Sequence, residues 1–407
     1  MTQLPTLESL EVSGKTVLVR LDLNVPMKAG RVLDDTRIRR IIPTLQHLVE
    51  RDAKVVILSH LGRPDGKYDP SASLAPLVDA LSESLWDRPV KFAPDCVGPT
   101  AKMAVSALMP GDMMLMENLR FHAAEENNDA QFAADMASLG DAYVNDAFSC
   151  SHRAHASIVG LAQHLPSAAG RLLEEEVTAL TRVLAAPEKP VCAIVGGSKI
   201  STKLDLLGNL AAKVDVLVIG GAMANTFLAA QGIDVGASRV ETDMVGTAKQ
   251  ILSNAAAQGC RIVLPVDVVA ASRFEPHASN VICDVAAIPQ THMILDIGPR
   301  SLASVIQVLA TSKTFLWNGP VGAYETLPFD ASSVIIARAV AGLTRAGSLH
   351  SVAGGGDTVA VLSHAGLSDS FSYLSTAGGA FLEWLEGKEL PGIAALMAQG
   401  NTARKRA

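Results

Sequence analysis

Residues 17–26 read VLVRLDLNVP, and their alternation decides how the rest of the chain is read. In a strand, successive side chains point to opposite faces. Val17, Val19, Leu21, Leu23 and Val25 therefore form one wholly aliphatic face. The other face begins apolar at Leu18 and turns polar through Arg20, Asp22 and Asn24. A strand buried on both faces and polar only at its carboxyl end fits an inner strand of a parallel sheet with a site beyond it.

Similar aliphatic runs recur outward from this stretch, each followed by a turn and a helix-like segment. KVVILSHLG (54–62), DMMLMENLR (112–120) and DAYVNDAF (141–148) lie in the first half. VCAIVGG (191–197), DVLVIGG (215–221), RIVLPVDVV (261–269), MILDIG (293–298), TFLWNGP (314–320) and HSVAGGG (350–356) lie in the second. Alternation of strand and helix across both halves predicts an α/β protein with parallel sheets flanked by helices. No fixed-period repeat is present, which excludes a solenoid. Between the halves, GRLLEEEVTALTRVLAAPEKP (170–190) carries apolar residues near helical spacing and ends at Pro187 and Pro190. It reads as a helix joining two domains.

Composition agrees. A chain of 407 residues suggests two domains. Hydrophobic residues make up 49%, charged residues 18% and aromatics only 4%, so the cores rest on aliphatic side chains. The net charge of −7 argues against nucleic acid as a partner. Five scattered cysteines without C-x-x-C spacing argue against a disulfide framework or a zinc site. The opening MTQLPTLESLEV lacks a basic and then apolar leader, and no apolar run reaches membrane-span length, so the expectation is a cytoplasmic protein that does not enter a membrane.

Ligands of open parallel sheets bind beyond the carboxyl ends of the strands. In the first half these ends carry Asp22 and Asn24, then His60 and Arg63, then Arg120, then His152, Arg153 and His155, with Arg37 following the first strand. One arginine would be an ordinary surface group. Four arginines with histidines at strand ends make a pocket for a small, multiply anionic ligand, because guanidinium forks match carboxylate and phosphate oxygens. Asp22 and Asn24 then serve to hold a ligand hydroxyl or to orient an arginine.

The second half carries a different chemistry. VGGSKISTK sets Gly196 and Gly197 after a strand, with Lys199 and Lys203 one helical turn apart. VIGGAMAN repeats the strand-to-diglycine pattern at Gly220 and Gly221. AGGGDTVAVL offers three glycines, then Asp357 and Thr358 opening a helix whose N-terminus favours anions. The GKT at 14–16 is not a phosphate loop, since no glycine stands five positions earlier and a strand follows. No G-x-G-x-x-G follows a strand, which weakens a dehydrogenase reading. A non-catalytic phosphate binder would have no need of Lys199, Lys203 and Asp357 together. The residues thus point to an acidic-ligand pocket in one domain and a nucleotide-phosphate site in the other.

VRLDLNVP, SHLGRP, ENLRF, SHRAHAS, GGSKISTKLDLL, IGGAMANTFL, WNGPVGAYE and GGGDT occur in the order seen in the phosphoglycerate kinases, and the chain resembles that family nearly end to end. The resemblance implies two Rossmann-like domains joined by a hinge helix. It divides the chain into a 3-phosphoglycerate-binding domain at 1–169, the hinge at 170–186, a nucleotide-binding domain at 187–385 and a tail at 386–407 packed back on the first domain. It implies reversible phosphoryl transfer between 1,3-bisphosphoglycerate and ADP, giving 3-phosphoglycerate and ATP, with Mg²⁺ as cofactor and a monomeric state.

By the same resemblance, Asp22, Asn24, Arg37, His60, Arg63, Arg120, His152 and Arg153 bind the phosphoglycerate. Lys203, Gly221, Asn318, Glu325, Gly355, Gly356, Asp357 and Thr358 hold the nucleotide, Glu325 on the ribose and Asp357 on the metal. Arg37, Lys199 and Lys203 are the catalytic cations. The departures are modest: Ser198 stands where many relatives have alanine, GAYE where many read G-V-F-E, and Ala222 replaces a glycine seen in some members.

Overall fold

A computed structural model describes residues 4–28 and 30–404. By internal contacts the chain divides into two compact units. One runs to Thr178 and takes in the chain from Glu389 onward; the other spans Ala179–Lys388.

The first unit contains β1 (Thr16–Arg20), β2 (Lys54–Leu58), β3 (Val90–Ala93), β4 (Met113–Met116), β5 (Ala142–Asn145) and β6 (Ser167–Ala169). Among the described residues these form one six-stranded sheet in the order β3-β4-β2-β1-β5-β6, parallel at every pairing. Helix α1 (Thr36–Val49) follows β1, and α2 (Arg171–Leu184) begins in this unit. The second unit contains β7 (Val191–Val195), α3 (Leu204–Ala211), β8 (Val216–Ile219), α4 (Ala222–Ala230), β9 (Arg261–Val263), β10 (Asp267–Ala271), β11 (Asn280–Asp284), β12 (Met293–Ile297), β13 (Thr314–Asn318), α5 (Ala331–Arg345), β14 (His350–Gly354), α6 (Gly356–His364) and β15 (Tyr373–Ser375). Its main sheet has the order β9-β8-β7-β13-β14-β15, again parallel throughout. Helix α7 (Pro391–Arg404) returns to the first unit and packs beside β6 and the short helix Leu161–His164.

β1 explains its own sequence. Val17, Leu18 and Val19 are fully buried on both faces, as an inner parallel strand requires. Regular strand ends at Arg20, five residues earlier than the alternation runs. Leu21, Leu23 and Val25 nevertheless stay in the same core cluster. The aliphatic face thus outlasts the ladder and holds the following segment against the core.

Part of one run expected in a parallel sheet, and the whole of another, lie elsewhere. RIVLPVDVV splits into β9 and β10, and MILDIG becomes β12. With β11, β10 and β12 form an antiparallel sheet in the order β11-β10-β12. Pro265 and the short turn around it supply the break, since proline cannot donate to a ladder. β3, β6, β11 and β15 escaped the sequence reading because they are short or lie at sheet edges, where burial leaves little imprint on pattern.

β7 lies inside its sheet, and Ile194 is fully buried there. Truncating it to alanine removes packed methylenes and leaves a cavity, which costs about 2–5 kcal/mol. Urea unfolding of Ile194→Ala should therefore show an earlier transition for the second unit, with a much smaller change in the first.

Candidate active site

In each parallel sheet the strand order reverses at one point: between β1 and β5 in the first unit, and between β7 and β13 in the second. Loops leave such a point in opposite directions and open a crevice at the carboxyl ends.

At the first crevice, Asp22 and Asn24 act on other protein groups. The Asp22 carboxylate accepts from Arg37 Nη1 at 2.7 Å, from the Ser149 hydroxyl and from the Asn24 amide N–H. The Asn24 backbone carbonyl accepts from the same Arg37 nitrogen at 3.0 Å. Arg37 stands in the first turn of α1, and its side chain remains one-third exposed. The Asn24 side-chain oxygen accepts from Gly62 N–H at 3.0 Å, and the Gly62 carbonyl accepts from Arg120 at 2.9 Å. Asn118 ties this loop down by donating to the Leu61 and Ala72 carbonyls, both at 2.8 Å.

Arg120 is buried and also pairs with Glu126 at 3.0 Å. His60 is buried, Arg63 is exposed and follows Gly62, and Arg153 lies 3.2 Å from the His152 ring. Burial first, then the Arg20 and Arg120 charges, push His155 down to about 3. The structure thus gathers the expected Asp22, Asn24, Arg37, His60, Arg63, Arg120, His152 and Arg153 around the ends of β1, β2, β4 and β5. An anion there meets several fixed donors whose positions are set before it arrives.

At the second crevice lies a cavity of about 670 Å³. Gly197, Ser198, Gly221, Glu325 and Asp357 line its polar parts, while Pro265, Met293 and Leu295 line apolar ones. Gly221 takes φ +66°, and a methyl there would lie 2.7 Å from the Gly197 carbonyl oxygen, so only glycine lets the two loops meet. Asp357 is exposed in the first turn of α6, where the helix dipole favours anions. No ion pair engages its carboxylate among the described residues; only Tyr324 OH approaches, at 3.5 Å.

Lys203 is anchored beside this cavity, donating to the Gly196 carbonyl at 2.6 Å and to Asn318 Oδ1 at 2.7 Å. Asn318 and Thr358 are buried and committed to protein groups. Asn318 Nδ2 donates to the Gly354 carbonyl at 3.1 Å, and Thr358 Oγ1 accepts from Gly319 N–H at 2.7 Å. These two, expected to hold the nucleotide, also fix Lys203 and the α6 N-terminus. Gly355 takes φ +93° as the N-cap of α6, directly before Gly356.

Several residues that sequence reasoning missed hold the site. Ser149 and Asn118 act as above. Glu125, fully buried, accepts from the Ser157 N–H and hydroxyl. Glu241 accepts from the Ile200 and Ser201 N–H groups and from the Ser201 hydroxyl, pinning the loop that carries Lys199. Their signal in sequence was absent, because each acts through a loop distant in the chain. Arg20 stands in the sequence as an arginine on an inner strand, with no pattern that ties it to the site.

A cationic pocket at one strand-order switch, with a lysine, a helix N-terminus and a large cavity at the other, makes the parts of a two-substrate phosphotransferase. Comparisons narrow the class. The family model described as phosphoglycerate kinase matches residues 7–388. The phosphoglycerate kinase of Ruegeria sp. (strain TM1040) is 59% identical over 96% of this chain and 98% of its own. That of Methylorubrum extorquens (strain PA1) is 55% identical over 98% and 100%. The solved phosphoglycerate kinase of Coxiella burnetii superposes with a TM-score of 0.91 at 42% identity, covering 98% of this chain and 100% of that one. The enzyme from Pyrococcus horikoshii OT3 gives 0.81 at 31%, covering 98% and 99%. The chain belongs to the phosphoglycerate kinase family.

Burial, opposed only by the Asp357 charge, lowers the Lys203 ammonium from 10.5 to about 8. In the unfolded chain the lysine keeps its proton up to the ordinary value. Between pH 8 and 10.5 the unfolded state therefore binds more protons, and stability rises with pH through that window. Lys203→Met removes this contribution. Relative to the variant, the wild type should gain stability from pH 8 to 10.5 and lose it as pH falls, measured by urea unfolding across the range.

Proposed function

We propose that the crevice of the first unit binds 3-phosphoglycerate or 1,3-bisphosphoglycerate and that the cavity of the second binds MgATP or MgADP, and that the chain moves the terminal phosphoryl group reversibly between them. The observation that carries this reading is the pairing of the two sites: an arginine-rich pocket ordered by Asp22 and Asn24, and a cavity flanked by Lys203 and the α6 N-terminus.

The chemistry follows from charge. The carboxylate of 3-phosphoglycerate is already ionised at neutral pH, so its oxygen attacks the γ-phosphorus without a general base. The P–O bond to ADP breaks as the acyl-phosphate bond forms, and the leaving oxygen departs as ADP. Such a transition state asks for positioning and for neutralisation of equatorial oxygens. Arg37, aimed by Asp22, supplies one cation. Lys199, on the loop pinned by Glu241, and Lys203, anchored by Asn318, supply two more. Glu325 offers a carboxylate to the ribose hydroxyls, and Gly221, Gly355 and Gly356 let backbone come close to the nucleotide. His60, His152, Arg63, Arg120 and Arg153 act as anion donors and move no proton.

Asp357 fits a magnesium ion: among the described residues it is an oxygen ligand without an ion-pair partner, beside the cavity, and Mg²⁺ takes one or two carboxylates together with substrate phosphates. When bound, the ion neutralises phosphate charge.

The two ligand sites belong to different units, so transfer requires them to be brought together with water excluded. We assign that motion to α2, at 171–184 within the expected hinge at 170–186, and to the LSTAGG segment at 374–379. In this reading residues 1–169 serve the phosphoglycerate, 187–385 the nucleotide, and 386–407 the packing of the tail on the first domain. The protein then acts as a monomer in the cytoplasm, with no nucleic-acid partner. Among the described residues no helix is long and apolar enough to cross a membrane.

Coupling the acyl-phosphate product to NADH oxidation should show ATP- and Mg²⁺-dependent turnover of 3-phosphoglycerate. Arg37→Ala should lower it about 100-fold or more. Absence of turnover in the wild type, with both ligands still bound, would make the chain a binding protein. Thr376→Ala should reduce turnover more than either substrate affinity; unchanged values for all three would remove that segment from the closure.

A further inference from the structure

Arg20 differs from every other arginine of the first crevice: it has no nitrogen left for a ligand. It is 1% exposed. Nε donates to Ser157 Oγ at 2.9 Å, Nη1 donates to the Leu21 carbonyl, and Nη2 lies 3.1 Å from His60 Nδ1 and 3.8 Å from Cys150 Sγ. Ser157 in turn donates to Glu125, which is fully buried. The guanidinium is thus clamped on one side through Ser157 to a carboxylate and abuts an imidazole on the other.

A guanidinium carries N–H on all three nitrogens and accepts nothing. At the 3.1 Å contact the imidazole nitrogen must therefore be the acceptor, which requires Nδ1 to be bare. The ring proton then has one place to be. We propose that Arg20 is a positioning residue that fixes His60 as the tautomer protonated on Nε2 alone, so that the ring meets an anionic ligand as a neutral donor of defined direction. The ligand half of this statement rests on the function proposed above; the tautomer half does not.

The surroundings of His60 agree from every side. Arg20 faces it from β1, Arg120 from the segment after β4, and Arg153 and His155 from the segment after β5. Asp22 and Cys150 also lie close, each with a ligand-type atom within 4.8 Å of a His60 ring nitrogen. The Asp22 carboxylate is already engaged by Arg37 and Ser149. Burial first, and then these cations with Arg20 foremost, push the imidazole well below its ordinary range. A second proton on the ring would turn the Arg20 contact into a clash of donors.

Two properties follow. The donor strength of His60 does not change with pH near neutrality, unlike that of an exposed histidine. Arg20 also influences the ligand without touching it, so its loss should appear in binding.

The test uses the full-length wild-type protein labelled with ¹⁵N. Long-range ¹H–¹⁵N correlation distinguishes the two ring nitrogens, and His60→Gln identifies the signal. The expected result is a single Nε2–H tautomer from pH 5.5 to 8.5 whose Nε2 resonance moves when 3-phosphoglycerate is added. An Nδ1–H ring, two averaging tautomers, or a titration between pH 6 and 7 overturns the proposal. An Nε2–H ring that stays unmoved while calorimetry reports bound 3-phosphoglycerate also overturns it, because the donor then faces no ligand. If calorimetry reports no binding at all, the ligand assignment fails, and the tautomer in the same sample still decides the role of Arg20.

Arg20→Lys, which keeps a donor near Nδ1, should retain most of the affinity. Arg20→Met should raise KM for 3-phosphoglycerate about tenfold with kcat within about twofold, the scale of one lost hydrogen bond. Because Arg20→Met leaves Glu125 without its buried counter-charge, the wild-type spectrum remains the deciding measurement should that variant fold poorly.

Discussion

Parallel pairing is the constraint on which the rest of this protein depends. A parallel strand cannot be re-entered by a tight turn, so each crossover must travel back over a face of the sheet, and every strand ends at the same edge. That single fact places residues from 22, 60, 120 and 153 around one crevice and residues from 197, 221, 325 and 357 around another. It also explains why the inner strands are aliphatic on both faces and polar only where they stop. Where strand order reverses, neighbouring loops diverge and leave room for a ligand.

Within those crevices several side chains act by orienting other protein groups. Asp22 and Asn24 illustrate this: the first restrains Arg37, the second restrains the Gly62 loop and through it Arg120. At the second crevice Asn318 and Thr358 do the same for Lys203 and α6. Charge-assisted hydrogen bonds of this kind fix donors before the ligand arrives, which lowers the reorganisation needed during phosphoryl transfer.

The fold was legible in sequence wherever burial leaves a pattern. VLVRLDLNVP revealed an inner strand because both faces of β1 are covered, and the segment at 170–190 revealed a helix through its apolar spacing. Short edge strands such as Tyr373–Ser375 left no such mark, and the antiparallel β10–β12 sheet was read as parallel because pattern reports burial but not direction. In the sites, charged groups at strand ends announced themselves, as Arg37 and Asp357 did. Groups that act through a partner far away in the chain did not. Glu241 reaches across 40 residues to hold the Lys199 loop, and Ser149 reaches across 127 to Asp22; only the folded chain brings these pairs into range.

The division of the chain carries one more consequence. The first unit is discontinuous: it contains the segment up to Thr178 and also Glu389 onward, whereas the second is a single uninterrupted stretch. In α7, Ile393 and Leu396 are buried, and the Gly392 N–H donates to the Ser151 carbonyl at 2.9 Å. During synthesis, domains generally fold in the order in which they emerge. Here the earlier-made unit cannot bury those side chains or fill that carbonyl until residues 391–404 have left the ribosome. The later-made unit has all of its strands by Ser375. Birth order and completion order are therefore inverted, and the nascent chain must hold an unfinished first-unit core while the second unit closes.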